Sequence, residues 1–389
     1  MGYDRLYYLK KRYALYPGVR RPKSADLLAP HYDARRAARG PLRALLDGAV
    51  GLLFHAWVPW RARTVQKRYG LDAAWRRRAV AIAHAAFADP NDIALFRIET
   101  GEQLGGYIRR FEDAALNKRI NPGGWRKGCA LADKRRFAER CAAHGLPHPE
   151  TVALVDRGAI LVLADPAGRA LVAKPVDGEG GRGVTMLGVA NDKAALRGKL
   201  SAMSAKGMIV VQPLVEAHPA LADLALDALP TVRIVTISDE EGAPEVVSAT
   251  FRCPSDPAAR VDNMKAGGLI VPVDLETGAL GVACKGYGGG DYPRHPVTGA
   301  QIEGRVLPDW PAAKALAARA HAEAFGDYCL VGWDIALTPT MPVLIEGNGK
   351  PGVLMPQRAA RSGLAQGRYG ALLAHHLQQD RSPSVTRAR

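Results

Sequence analysis

The sequence predicts an α+β protein with a mainly helical, basic N-terminal lobe, and three observations carry that prediction. From residue 1 to about residue 127, apolar residues recur at helical spacing among Arg and Lys. From Thr151 onward, short β-compatible runs alternate with Gly, Asp and Pro turns. Near the C-terminus, Cys329–Gly352 (CLVGWDIALTPTMPVLIEGNGKPG) reads as two apolar strands carrying acids at their polar ends. A chain of 389 residues can bury a large core and form two or three lobes, and 48% hydrophobic with 23% charged residues is a soluble globular composition.

The charge is uneven. Residues 1–140 hold 29 Lys+Arg against 13 Asp+Glu, a net +16, and the remaining residues hold 24 against 25, a net −1. A basic lobe suits phosphates, whether of an anionic membrane, a nucleic acid or a phosphorylated substrate, although a solvated basic surface is the plainer reading. Five scattered cysteines without a C-x-x-C pair argue against a disulfide framework or a zinc site and for a reducing, cytoplasmic setting. The opening MGYDRLYYLKKRYALYPG lacks the apolar core of a secretory signal. Gly48–Trp60, free of charge, is too short to span a bilayer; it reads first as a buried helix and second as an interfacial segment.

Within the lobe, Leu6–Leu15, Pro41–Trp57, Leu71–Phe87 and Glu102–Leu116 have helical patterns, and none forms a DNA-reading motif. NPGG at 121–124 marks a break, and Leu131–Gly145 reads as a helix ended by Gly145 and Pro147 with Asp133 and Lys134 in its first turn. Two apolar runs flank Asp156-Arg157-Gly158, a hairpin signal. Ala170–Val184 (ALVAKPVDGEGGRGV) is a strand ending at Lys174, then a loop with Gly178, Gly180, Gly181 and Gly183 that returns into a strand. Backbone N–H groups of such a loop can approach an anion, and Lys174 adds a point charge. No helix follows, which excludes a Walker A loop and a Rossmann turn.

Asp192–Lys206 is amphipathic, and Met208–Val215 reads as a buried strand running into Glu216 and His218. Thr231–Ser238 and Glu245–Phe251 read as paired strands, with Arg233 and Arg252 set in apolar surroundings where a guanidinium needs an anionic partner. VDNMKAGGLIVPVD at 261–274 adds Asn263, and the glycine-rich KGYGGGDYP at 285–293 suggests a mobile lid. A helix over Pro311–Phe325 leads into the hairpin, Leu364–Gln378 reads as a final helix, and 379–389 as a disordered tail.

In the hairpin, Thr338–Met341 is the turn. The period of two along strands lets Asp334 face Glu346 and Asn348. Two carboxylates and an amide oxygen are hard ligands suited to Mg²⁺ beside phosphate. Taken alone, the pattern reads equally well as a capped turn followed by ordinary loop polars.

The order of these motifs resembles the ATP-grasp superfamily over residues 128–377. QPLVEAHP, LPTVRIVT, VDNMKAGGLIVPVDLETG, HPVTG, LPDW and GWDIA are similar to the sugar-transfer-associated ATP-grasp family, and TVRIVT, VDNMKAGG and IEGN to the ribosomal-protein glutamate ligases. The resemblance implies an ATP-grasp fold, two α+β subdomains clasping ATP, divided as a basic lobe over 1–127, subdomains over 128–207 and 208–378, and a tail. It implies that Lys134 and Lys174 hold the nucleotide phosphates under the flap Gly178–Gly183. Gln212 would face the adenine amino group, with the backbone of Pro213, Leu214 and Val215 along the ring edge. Superfamily members often have Glu in place of Gln212, and Pro213 removes a donor. Glu216 or His218 would meet the ribose. Asp334, Glu346 and Asn348 would bind Mg²⁺, as two ions, with Mn²⁺ as an alternative. Arg233, Arg252 and Asn263 would surround the transferred phosphoryl group and acyl substrate, with Lys350 as a further contact.

The implied reaction is ATP-dependent carboxylate–amine ligation through an acylphosphate, on small and sugar-linked substrates of polysaccharide or glycoconjugate synthesis. The alternatives are an ATP-grasp phosphotransferase acting on a hydroxyl and a non-catalytic basic module. Peripheral contact with an anionic membrane at its inner face is the partner expected for the basic lobe, ahead of nucleic acid.

Overall fold

The structure is a computed structural model that describes residues 25–126, 128–166, 168–178, 183–189, 192–257, 268–286 and 288–379. Its described residues form two compact units, one from Met1–Ile120, Cys284–Asp291 and Gly352–Arg389, the other from Asn121–Ala283 and Tyr292–Pro351. The expected helix at Leu6–Leu15 and the expected disordered tail after Gln379 lie outside the described residues.

The first unit is helical: α1 (Ala29–Ala37), α2 (Pro41–Tyr69), α3 (Ala73–Ala86), α4 (Pro90–Leu95) and α5 (Arg110–Ile120), with two C-terminal helices, Leu354–Ala360 and Arg368–Gln379. Helix α2 runs twelve residues past the expected Trp57, straight through Pro59. A mid-helix proline leaves the carbonyl four residues earlier without its N–H partner. Here that carbonyl belongs to His55 and accepts from the His84 ring, whose Nε2 lies 3.1 Å away. This substitute bond lets the helix continue until Gly70, at φ 64°, ends it.

In the glycine-rich segment that the sequence suggests as a mobile lid, the described residues are hydrogen-bonded to the helices of this unit. The buried Arg358 donates to Leu95 O (2.6 Å), Lys285 O (3.0 Å) and Gly288 O (2.7 Å), while Asp291 accepts from Arg97 (3.0 Å) and Arg361 (2.7 Å). Composition alone could not reveal an arginine about seventy residues downstream. For the same reason, the C-terminal boundary differs from the expected 208–378 subdomain: Gly352 onward groups with the helices of the first unit.

The second unit holds the smaller of two sheets and most of the larger one. Helix α6 (Lys134–Ala143) begins one residue after Asp133, whose carboxylate caps it by accepting from Arg135 N and Arg136 N, both at 3.0 Å. Strands β1 (Ala153–Asp156), β2 (Ala159–Leu163), β3 (Ala170–Pro175), β4 (Thr185–Val189) and β5 (Ile209–Pro213) form an antiparallel sheet in the order β2-β1-β5-β3-β4. The β1–β2 turn is the predicted one, with Arg157 and Gly158 both at positive φ, as a type I′ turn requires. Helix α7 (Lys193–Met203), capped by Asp192, packs Leu196 and Leu200 against Val152, Val155, Leu171 and Val211.

In the larger sheet, β6 (Thr231–Ser238), β7 (Pro244–Cys253), β8 (Leu269–Pro272), β9 (Ala283–Lys285), β10 (Asp291–Tyr292), β11 (Leu330–Leu337) and β12 (Pro342–Asn348) are ordered β10-β9-β8-β7-β6-β11-β12. Helix α8 (Trp310–Arg319) covers one face. On that side Trp310, Ala313 and Ala317 meet Val232, Ile234, Phe251, Trp333 and Ile335 in the main core. Because strand side chains alternate, Trp333 and Ile335 point into this core and Asp334 points to the opposite face. All five cysteines are free thiols. No described helix is long and apolar enough to cross a membrane.

Candidate active site

Strand register builds the site. Asp334 on β11 sits between Arg233 on β6 and Glu346 on β12, each its direct cross-strand partner. Arg252 on β7 is opposite Thr231, two residues from Arg233 and therefore on the same face. The four charged side chains thus share one face, in a row across neighbouring strands. A register shift after Asp334 leaves Ile345 unpaired and carries β12 on through Glu346 and Asn348.

Asp334 is 3% exposed. Arg233 binds it through both Nε and Nη2, the latter 2.8 Å from Oδ2, and Arg252 Nη2 lies 3.0 Å from the same oxygen. Thr231 Oγ1 orients Arg252 by accepting from its Nη2 (2.6 Å) and Nε (3.2 Å). Burial would raise the Asp334 carboxyl, but the two guanidiniums outweigh it and hold the group well below the usual carboxylate range. Glu346 is pushed the other way, first by burial and then by the charge of Asp334 and a hydrogen bond with it, against the opposing pull of Lys134 and Arg233. Gly332 makes room for this arrangement, since a Cβ there would lie 2.6 Å from Pro351 and 3.2 Å from the Arg233 side chain.

One strand of the small sheet and helix α6 supply cations to the same place. Lys174, at the end of β3, and Lys134, at the start of α6, both act electrostatically on Glu346. Lys174 is lowered to about 8, chiefly by burial, with Glu346 opposing and Lys134 reinforcing the shift. Its Nζ donates to Gln212 Oε1 (3.2 Å), and Gln212 Nε2 donates to Pro149 O (3.1 Å). Lys134 Nζ reaches over to Gly178 O at 2.5 Å, so the first lysine holds the entrance of the glycine loop. Gly183, at φ 76°, closes that loop, while Gly180 and Gly181 lie outside the described residues, as does Asn263.

After β5, Pro213 and Val215 are half-buried and Leu214 is 42% exposed. The Leu214 N–H is bonded to Ala170 O (2.8 Å). Glu216 is exposed, and His218 caps a short turn, its Nδ1 accepting from Ala220 N (3.1 Å). Asn348 Nδ2 lies 3.5 Å from Glu346 Oε1, and the exposed Lys350 lies over the Trp125 ring, 4.5 Å from its centroid. Sequence reasoning anticipated Arg233 and Arg252 around a substrate; in the structure both guanidiniums are bound to Asp334.

Two contributors were missed. Thr231 is one; the other is Asn121, 1% exposed, which donates to Leu330 O (2.7 Å) and Gly349 O (2.9 Å) and accepts from Cys329 N (3.1 Å). It clamps the start of β11 to the end of β12. In the sequence it was legible only as the first residue of a turn-forming NPGG.

A comparison of sequences gives the family. The model of the family described as sugar-transfer associated ATP-grasp matches residues 112–369. The chain belongs to the sugar-transfer associated ATP-grasp family. The match takes in every site residue named above, so the ATP-grasp fold anticipated from motif order is the fold of this chain. No curated protein sequence matches it. Among solved structures, D-cycloserine synthetase is similar at 17% identity over 64% of this chain and 70% of its own, with a TM-score of 0.37. An L-amino acid ligase from Bacillus licheniformis is 15% identical over 56% of this chain and 40% of its own (TM-score 0.32). D-alanine–D-alanine ligase from Bacillus anthracis is 13% identical over 64% of this chain and 67% of its own (TM-score 0.37).

Asp334, Glu346 and Asn348 are hard oxygen donors of the kind a divalent cation takes, with the Asp334 oxygens shared with Arg233 and Arg252. Among the described residues no cluster of three or more His, Cys, Asp or Glu side chains could hold a metal alone. Two carboxyl groups that share a hydrogen bond, with an amide beside them, leave coordination to be completed by phosphate oxygens, the habit of Mg²⁺.

The two carboxylates are expected to respond oppositely to substitution. Asp334→Ala leaves two half-buried guanidiniums without their shared carboxylate and should lower stability in denaturant unfolding, by up to about 3 kcal/mol. Glu346→Gln removes a charge that the fold disfavours. Its raised carboxyl makes stability decline as pH rises through its titration, so ligand-free Glu346→Gln should be at least as stable as wild type at neutral pH, without that decline.

Proposed function

We propose that this chain is an ATP-dependent carboxylate–amine ligase that forms an amide through an acylphosphate, in polysaccharide or glycoconjugate synthesis. The observation that supports it most is the single face on which Asp334 and Glu346 abut, flanked by Arg233 and Arg252 and confronted by Lys134 and Lys174. Such a face is built to receive a polyanion together with a cation.

In this reading Lys134 and Lys174 bind the ATP phosphates beneath the glycine loop. Gln212 orients Lys174, and the segment Pro213–Val215 lies along the adenine. With the Leu214 N–H bonded to Ala170, Pro213 O and Val215 N serve the base. His218 is engaged as a turn cap, so Glu216 is the residue assigned to the ribose. Asp334, Glu346 and Asn348 would hold Mg²⁺, which would supply charge neutralisation for the phosphates.

A substrate carboxylate oxygen attacks the γ-phosphorus and ADP departs. The amine then attacks the acyl carbon, loses its proton to solvent and expels phosphate. Arg233 and Arg252 stabilise the charge that spreads over the transferred group, with Asn263 and Lys350 as further contacts. No protein nucleophile enters the sequence.

Thermal unfolding tests the nucleotide site. Mg-ATP at about a hundred times its dissociation constant should stabilise the wild type by ~2.7 kcal/mol, with no effect when Mg²⁺ is omitted or in Glu346→Gln. An unshifted wild type would refute the reading. With a carboxylate and an amine supplied, ADP and phosphate should appear in equal amounts; ADP with a phosphorylated alcohol instead would identify a phosphotransferase.

Lys174 gives a pH signature. A bound phosphate favours the charged amine, so between pH 8 and the ordinary lysine value of 10.5 nucleotide binding should take up a proton. Apparent affinity should therefore fall as pH rises above about 8, and titration calorimetry in buffers of different ionisation enthalpy should show the uptake. Lys174→Met should bind more weakly and lose this inflection.

A further inference from the structure

Helix α2 carries apolar side chains on two opposite faces. One, with Val58, Val65 and Tyr69, is buried in the helical core. The other presents Leu42, Leu45, Leu46, Leu52, Leu53 and Trp60, between 47% and 72% exposed. At 3.6 residues per turn these six fall in one sector roughly 120° wide and extend about 27 Å along the axis. Exposed apolar residues scattered singly need no explanation, but a continuous stripe marks a docking face. The sequence pattern suggested burial of Gly48–Trp60; instead only one side of it is buried.

We propose that this stripe docks the protein on an anionic lipid surface, with α2 lying in the plane of the membrane. Charge selects this occupant. Pro41–Tyr69 contains five Lys+Arg and one acid, Asp47. That acid is 1% exposed and bonded to Arg39 and Arg43, so no exposed carboxylate of this helix opposes a negative surface. Arg63, Lys67 and Arg68, followed by Arg77 and Arg78 on α3, are all exposed beyond Trp60. Trp60 thus stands where the leucine stripe gives way to cations, the place an interfacial aromatic takes between acyl chains and headgroups.

A second copy packed stripe to stripe would bring these like charges together, which disfavours self-association. Insertion across the bilayer is not at issue, because no described helix is long and apolar enough to cross it. Surface binding needs only the apolar face buried to the headgroup boundary, with basic residues adding attraction to anionic lipid.

Vesicle flotation of the full-length protein, without nucleotide, tests this independently of the ligase reading. The wild type should float with vesicles of phosphatidylcholine and phosphatidylglycerol at low salt, float poorly with phosphatidylcholine alone, and be released by salt. Leu52→Gln/Leu53→Gln should reduce flotation roughly tenfold or more while circular dichroism and Tm stay unchanged, because both side chains are exposed. Arg63→Gln/Lys67→Gln should weaken the preference for phosphatidylglycerol. No flotation at low salt, or flotation that the leucine substitutions leave intact, would overturn the proposal. So would a vesicle-free dimer, seen by light scattering, that Leu52→Gln/Leu53→Gln converts to monomer, since the stripe would then be an interface between copies.

Discussion

A carboxylate buried as deeply as Asp334 survives ionised only if its neighbours supply the charge and hydrogen bonds that water would otherwise give. Arg233 and Arg252 do so from adjacent strands, and the requirement fixes much else. It specifies the register of β6 against β11, because a slip of one residue would turn Arg233 away into the apolar core. It also sets the field at Glu346. With Asp334 held ionised beside it, the Glu346 carboxyl is pushed above its ordinary value. The like-charge pair works against the fold, and under the proposed function a metal-bound polyanion would relieve it.

The surrounding elements hold this row in place. Asn121 ties the first residues of β11 to the loop after β12, so that the hairpin cannot splay. Lys174 arrives from the other sheet and Lys134 from the start of α6, engaged by Gln212 and Gly178 O respectively. Burial of Lys174 lowers the energy difference between its charged and neutral forms near pH 8, which makes its charge responsive to what binds.

Much of this was legible in the sequence because strands alternate and turns have characteristic residues. The β11–β12 hairpin, the Arg157-Gly158 turn and the helix ended at Gly145 follow from local rules, and so does the setting of Asp334 opposite Glu346. What local rules could not supply was pairing between distant segments. That Arg233 would face Asp334, and that Thr231 would steer Arg252, depends on a register about a hundred residues apart in the chain. The continuation of α2 through Pro59 depends on a histidine from the next helix. The hydrogen bonds of Arg358 to Leu95, Lys285 and Gly288 join segments far apart in the chain. Gly180, Gly181 and Asn263, named from motif order, lie outside the described residues.

Under the proposed function, Asp334, Glu346 and Asn348 form a site for a nucleotide-bound divalent cation. Electron paramagnetic resonance of Mn²⁺ in the presence of ADP tests it most directly, since free and bound Mn²⁺ give separate signals and no acid or amine substrate is needed. The account predicts that wild-type protein depletes the free Mn²⁺ signal in an ADP-dependent manner and that Glu346→Gln, equally folded, does not. Equal depletion by the two proteins would place the cation elsewhere and contradict the account.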